Sequence, residues 1–145
     1  AVPSEIVDGS RVTLREHDWP GRCRAMLEKV DAAMDDFDLT VAASAALHLV
    51  REVDGFINET EPFKLARDPE RRDELGVILY QCAETLRLAM LPLRALMPAK
   101  DATYRAAWGM AGDAEWVDEA QWGWLRPGHA IEKVALFPRV DPPEA

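Results

Sequence analysis

The residues best suited to do chemistry sit at one junction, "DGFINETEPFKLARDPE", from Asp54 to Glu70. Phe63 follows Pro62, which stops the preceding helical pattern, and lies outside the clear apolar stripe. A ring in that position either plugs the top of a bundle or offers a flat face to an unpaired base. Stacking of that kind is worth about 1–3 kcal/mol per base. Asn58 can both donate to and accept from a base edge. Gly55, without a side chain, lets another backbone approach the same helix face. Lys64, Arg67, Arg71 and Arg72 place four cations within nine residues, and Asp68, Glu70, Asp73 and Glu74 cancel them. These cations either form ion pairs at helix ends or reach phosphates.

Little else in the chain has the pattern of a reactive centre. His17, His48 and His129 are the only histidines, and none has a second His or Cys at metal-ligand spacing. His48 reads as a solvated or internally satisfied side chain. Cys23 and Cys82 are far apart and form no Cys-x-x-Cys pair, so they are expected to be buried free thiols in a reducing cytoplasm. There is no Gly-rich phosphate loop and no Gly-x-Ser-x-Gly elbow. Acidic pairs such as Asp35–Asp36 and Glu59–Glu61 flank helix ends and read as solvated charge. No catalytic residue and no metal site are therefore assigned to this chain. The formal net charge of −9 argues against a general phosphate-backbone binder, and so against DNA. Any nucleic-acid contact should be local and directed at bases. No apolar run approaches the roughly 20 residues of a membrane span, and no signal-peptide pattern opens the chain.

The elements that would position the junction are helices. Residues 1–17 show no sustained period and read as extended. Asp18 is a helix N-cap with Pro20 in the first turn, opening a helix over about 19–36 whose apolar positions are Met26 or Leu27, Val30, Met34 and Phe37. Asp38 caps a second helix running to about Thr60. Ala42, Ala46, Leu49, Val50, Val53, Phe56 and Ile57 form its core stripe, and Arg51, Gly55 and Asn58 lie on the opposite face, with Pro62 in line beyond. Asp68 and Pro69 open the longest helix, with Leu75, Ile78, Leu79, Cys82, Leu86, Ala89, Met90, Leu93 and Met97 as its stripe. Pro92 should kink or end that helix. Pro98 opens a shorter one over about 99–110. The last part, 111–145, loses the helical period and reads as an irregular tail with short extended pieces near 124–125 and 131–136. The predicted fold is a single all-α domain, an antiparallel helical bundle over 18–110 with the tail lying across it.

In this context the segment "FINETEPFKLARDPERRDELGVILYQCAETLRLAMLPLRALMP" resembles the anticodon-binding helical domain of methionyl-tRNA synthetases, class I aminoacyl-tRNA synthetases. In that family a helix ends in an Asn-rich stretch, followed by Pro-Trp, a Lys-Leu-Ala-Lys-like run and a long helix closing on Met-Pro. The tail "WGWLRPGHAIEKVALFPRV" is similar to the family's Trp-Gly, Leu, Pro-Gly and Leu-Phe-Pro-Arg-Ile sequence. The likeness covers about 40–140 clearly and 1–39 loosely. It implies an anticodon contact built from Phe63, Pro62, Asn58, Asp54, Arg51 and Lys64. It also implies tRNA and the catalytic domain of the same synthetase as partners. ATP and Mg would be used by the parent enzyme, not by this chain.

Two positions depart from the family pattern. Phe63 replaces the family Trp, which keeps a stacking face but loses the indole donor. Asp54 stands where the family has Asn. The family's first bundle helix, with its base-reading Asn and Arg, would precede "AVPS", and its class I catalytic motifs are not in this sequence. A helical docking module that binds no RNA is the alternative, motivated by Trp108, Trp116, Trp122 and Trp124.

Overall fold

A computed structural model describes residues 17–110, 116–126 and 128–139 of the chain. The extended segment expected over residues 1–17 lies, but for His17, outside the described residues.

Helix α1, Trp19–Asp35, is capped as its sequence requires: the Asp18 side chain accepts the Gly21 N–H at 3.3 Å. Its buried face is Trp19, Cys23, Met26, Val30 and Ala33. The stripe expected to continue through Met34 and Phe37 instead turns outward, leaving Met34 46% and Phe37 91% exposed. The helix ends at Asp35, so Phe37 no longer follows its period. The Asp38 N–H returns to the Ala33 carbonyl at 2.7 Å, and Phe37 takes a left-handed backbone with φ 57°.

Helix α2, Leu39–Thr60, begins where Asp38 accepts the Val41 N–H at 2.9 Å. Ala42, Ala46, Leu49, Val53 and Phe56 are buried as the periodicity predicts, and Val50 and Ile57 pack at the margin of the same core. The chain then reverses at Glu61, whose φ is 45° and whose N–H closes on the Ile57 carbonyl. Pro62 therefore opens a one-turn helix, α3, Pro62–Leu65, where its missing N–H costs nothing. Asp68 and Pro69 begin a 3-10 turn, Pro69–Arg71, that leads into α4, Arg72–Arg94. Pro92 falls two residues before the end of α4, where the loss of one hydrogen bond is tolerated. Helix α5, Pro98–Ala107, follows, and Gly109, at φ 60°, turns the chain out of it in a conformation that suits glycine.

α1, α2 and α4 pack on one another around one apolar core that runs from Trp19 to Leu93. Trp19 and Phe56 meet edge to face with centroids 5.2 Å apart, closing one end of it. A smaller cluster of Tyr104, Met110 and Leu125 joins α5 to the tail. The tail holds one helical turn, α6, Trp116–Glu119, and otherwise irregular chain. Among the described residues there is no strand, so the pieces expected to be extended near 124–125 and 131–136 join no sheet; the Glu132 N–H bonds instead to the Ala107 carbonyl at 2.9 Å. The architecture is the all-α helical bundle expected from the sequence. Within it Cys23 and Cys82 are buried free thiols, and burial pushes them up to about 12 and about 11.

Candidate nucleic-acid interface

The left-handed reversal at Glu61 decides how the junction is presented. It lets α2 stop without a glycine and throws the next turn outward. In that turn Pro62 and Leu65 are buried, and they anchor it to the bundle. Phe63, between them, is 56% exposed. The ring therefore does not plug the top of the bundle. Trp19 and Phe56 already do that, with His17 stacked on the Trp19 ring at 5.7 Å.

Arg51, Asp54 and Asn58 are all exposed on the outward face of α2, opposite its buried stripe. Seven residues separate Arg51 from Asn58, which is about 10 Å of helix. Among the described residues no hydrogen bond or ion pair engages the side chains of Arg51, Asp54 or Asn58. A Cβ built on Gly55 would meet nothing within 4 Å, so that stretch of the face is open backbone. Lys64 is exposed but occupied: its Nζ lies 2.7 Å from Glu61 Oε2. Of the other junction cations, Arg71 makes a two-pronged pair with Glu74 at 2.7 Å, while Arg67 and Arg72 are exposed. Helix-end pairing thus accounts for Lys64 and Arg71. The junction thus presents an exposed ring on the short turn that follows α2, and α2 itself carries an exposed cation, carboxylate and amide for which the described residues supply no partner. Such a surface can stack a base and hydrogen-bond its edge.

The structure also assembles a group that apolar periodicity did not reveal. Glu84 and Arg87 are fully buried on α4, and they grip the tail. Glu84 Oε1 accepts the N–H groups of Gly123 and Trp124 at 2.8 and 2.7 Å, and Oε2 that of Leu125 at 3.3 Å. Arg87 forks onto both Glu84 oxygens at 2.9 Å and donates to the carbonyls of Glu119 and Gln121. Its guanidinium also lies 5.5 Å from the Trp124 ring centre. Glu119, itself buried, takes a two-pronged bond from Arg105 at 2.8 and 2.6 Å. Tyr80 donates to the Leu125 carbonyl at 3.1 Å. One signal was available: apolar residues occur on nearly every side of α4 between Val77 and Leu93, so charges within that span had to be buried and paired.

These bonds settle the fate of the tail aromatics. Trp122 packs against the main core, and Trp108 and Trp124 against the Tyr104 cluster. Each of the three is half-buried, so part of each ring covers the bundle. The side chain of Trp116 lies outside the described residues. Among the described residues no three His, Cys, Asp or Glu side chains gather as a metal site would require, and no helix is long and apolar enough to cross a membrane.

Comparison with known proteins agrees with the likeness read from the junction and the tail. The chain is 33% identical over 131 aligned positions to the methionine–tRNA ligase of Deinococcus radiodurans, covering 90% of this chain and 19% of that protein. It is 33% identical over 152 positions to that of Streptomyces coelicolor, covering 97% of this chain and 27% of the relative. The ligase of Bacillus subtilis is 25% identical over 92% of the chain and 20% of its own length. The chain thus spans between about a fifth and a quarter of the relatives it matches. No family model matches it, and no solved structure does.

Proposed function

For a chain homologous to the methionine–tRNA ligases along most of its own length, we propose that it is the portion that recognises the tRNA anticodon. It positions tRNA(Met) for aminoacylation by a catalytic domain outside this chain. The observation that carries this reading is Phe63: a half-exposed aromatic on a turn anchored by buried Pro62 and Leu65, directly after the helix α2 whose exposed Arg51, Asp54 and Asn58 side chains have no partner among the described residues. One unstacked anticodon base lies on the ring. Asn58 and Arg51 meet base edges or the adjoining backbone. Asp54, a carboxylate with acceptors only, takes a base amino or imino group. Lys64 reaches a phosphate once it exchanges Glu61 for it. Selection comes from these base contacts and not from net charge, because the chain as a whole is acidic.

The ATP and Mg that aminoacylation uses belong to the catalytic part in this reading. The enzyme works in the cytoplasm. Titration of the chain with a CAU anticodon stem-loop and with a scrambled loop at low salt tests the reading. Preference for CAU, weakened about 5- to 150-fold by Phe63→Ala, is the expected result. Equal affinity of parent and variant for CAU removes the stacking role.

A further inference from the structure

At the opposite end of the bundle from Phe63, the turn between α1 and α2 is built against ordinary rules in two ways. Phe37 holds φ 57° in the position after a helix end, where glycine or asparagine is the usual occupant and a bulky residue is strained. The same side chain is 91% exposed, the most exposed large apolar side chain among those described, so neither packing nor turn geometry explains a phenylalanine there. Met34 and Leu39 flank it at 46% and 51% exposed. Asp31, Asp35, Asp36 and Asp38 surround these apolar residues in sequence, and among the described residues none of the four forms an ion pair. The cations α4 and α5 bring to this end of the bundle are engaged: Arg94 faces Asp101 at 3.4 Å, and Lys100 lies over the Phe137 ring at 5.4 Å.

We propose that Phe37 is the anchor of a protein-docking surface, an apolar knob in an acidic collar that inserts into an apolar pocket edged by lysine or arginine on the remainder of the ligase. The proposal rests on the functional reading above, in which the chain is one part of such an enzyme. Charge decides the kind of partner. The aspartate collar repels RNA, and it repels a second copy of a chain at −9. A basic protein face is attracted by the collar, and a desolvated aromatic supplies most of the holding energy. The location fits as well, because a partner seated here leaves Phe63 open to an anticodon.

The test mixes this chain with the Streptomyces coelicolor methionine–tRNA ligase trimmed of the stretch that aligns with it, and follows binding by calorimetry at two salt concentrations. The parent chain binds, more weakly at high salt. Phe37→Asn, which suits the left-handed backbone, lowers affinity at least about tenfold and raises Tm by about 2–4 °C. Phe37→Trp restores binding, and Asp35→Asn with Asp36→Asn flattens the salt dependence. A Phe37→Asn chain that binds like the parent, a parent that does not bind, or a parent that self-associates through this turn overturns the proposal. Phe63→Ala separates the two readings. It is expected to keep docking while losing CAU preference. Docking that persists when no variant or parent prefers CAU removes the anticodon role and leaves the Phe37 surface standing.

Discussion

The junction at Glu61–Lys64 and the tail grip around Glu84 are both built from polar groups on the same scaffold, and they are finished in opposite ways. In the grip, the Glu84 carboxylate and the Arg87 guanidinium have bonds to each other and to the tail backbone, and both side chains are out of water. At the junction, Arg51, Asp54 and Asn58 are left in water with no partner among the described residues, and Phe63 is half exposed. A buried ion must be fully satisfied or it destabilises the fold, so a completed network reads as structure. Groups left unsatisfied on a rigid surface cost nothing while hydrated and remain available to a ligand. The contrast separates what holds this chain together from what it offers to others.

The largest effect should come from breaking the grip. Glu84→Ala leaves Arg87 buried without its carboxylate and frees three tail N–H groups, at a cost of roughly 3–5 kcal/mol. Urea unfolding followed by tryptophan fluorescence measures it. A loss below about 1 kcal/mol would erase the distinction between the two regions.

The same unfolding experiment on Phe63→Ala should show a change within about 0.5 kcal/mol, as for an ordinary surface substitution. Its effect of about 1–3 kcal/mol should appear only in binding to the anticodon stem-loop. A matching loss of stability would make the ring structural after all.

A smaller effect comes from alkali and concerns the shared core. In the unfolded chain Cys23 and Cys82 ionise around 9.0, whereas burial holds them to about 12 and about 11 in the native state. The neutral thiol is the native form, so their contribution is constant below pH 9. Above it the unfolded state alone releases the protons, and each thiol weakens the fold by up to roughly 1.4 kcal/mol per pH unit until its native value is reached. Stability measured from pH 8 to 10.5 in the parent and in Cys23→Ala, together with slow native alkylation at pH 8, checks this.

The smallest is Gly55→Ala. Nothing stands within 4 Å of the added methyl, so the helix should gain about 0.5–1 kcal/mol. If a ligand backbone approaches that face, binding of the CAU loop should fall as stability rises. Unchanged binding would restrict the interface to Phe63 and its immediate neighbours.

Much of the fold was legible because helical amphipathicity is a local signal. Asp18 and Asp38 cap the helices assigned to them, and the α2 stripe from Ala42 to Phe56 is the buried one. The reading failed at Phe37, where the period of α1 was extrapolated past the helix end, and at Met34 and Leu79, expected core positions that are 46% and 50% exposed. The candidate interface was legible as residue types in order: a stripe opposite the core, a proline, a ring. The Glu84–Arg87 grip was not, because its partners Glu119, Gly123 and Trp124 lie more than thirty residues away and act through backbone groups that every sequence possesses.

Sequence alone therefore determined the helices, their buried faces and the kinship with methionine–tRNA ligases, since each rests on residue type at short spacing. Only the tertiary structure decided that Phe63 faces water while Trp19 and Phe56 close the core, that Trp122 and Trp124 pack against the bundle, and that the Phe37 side chain is left 91% exposed. Those outcomes turn on which of several similar side chains is shielded by another element. Shielding depends on how distant segments pack, and local periodicity carries no record of it.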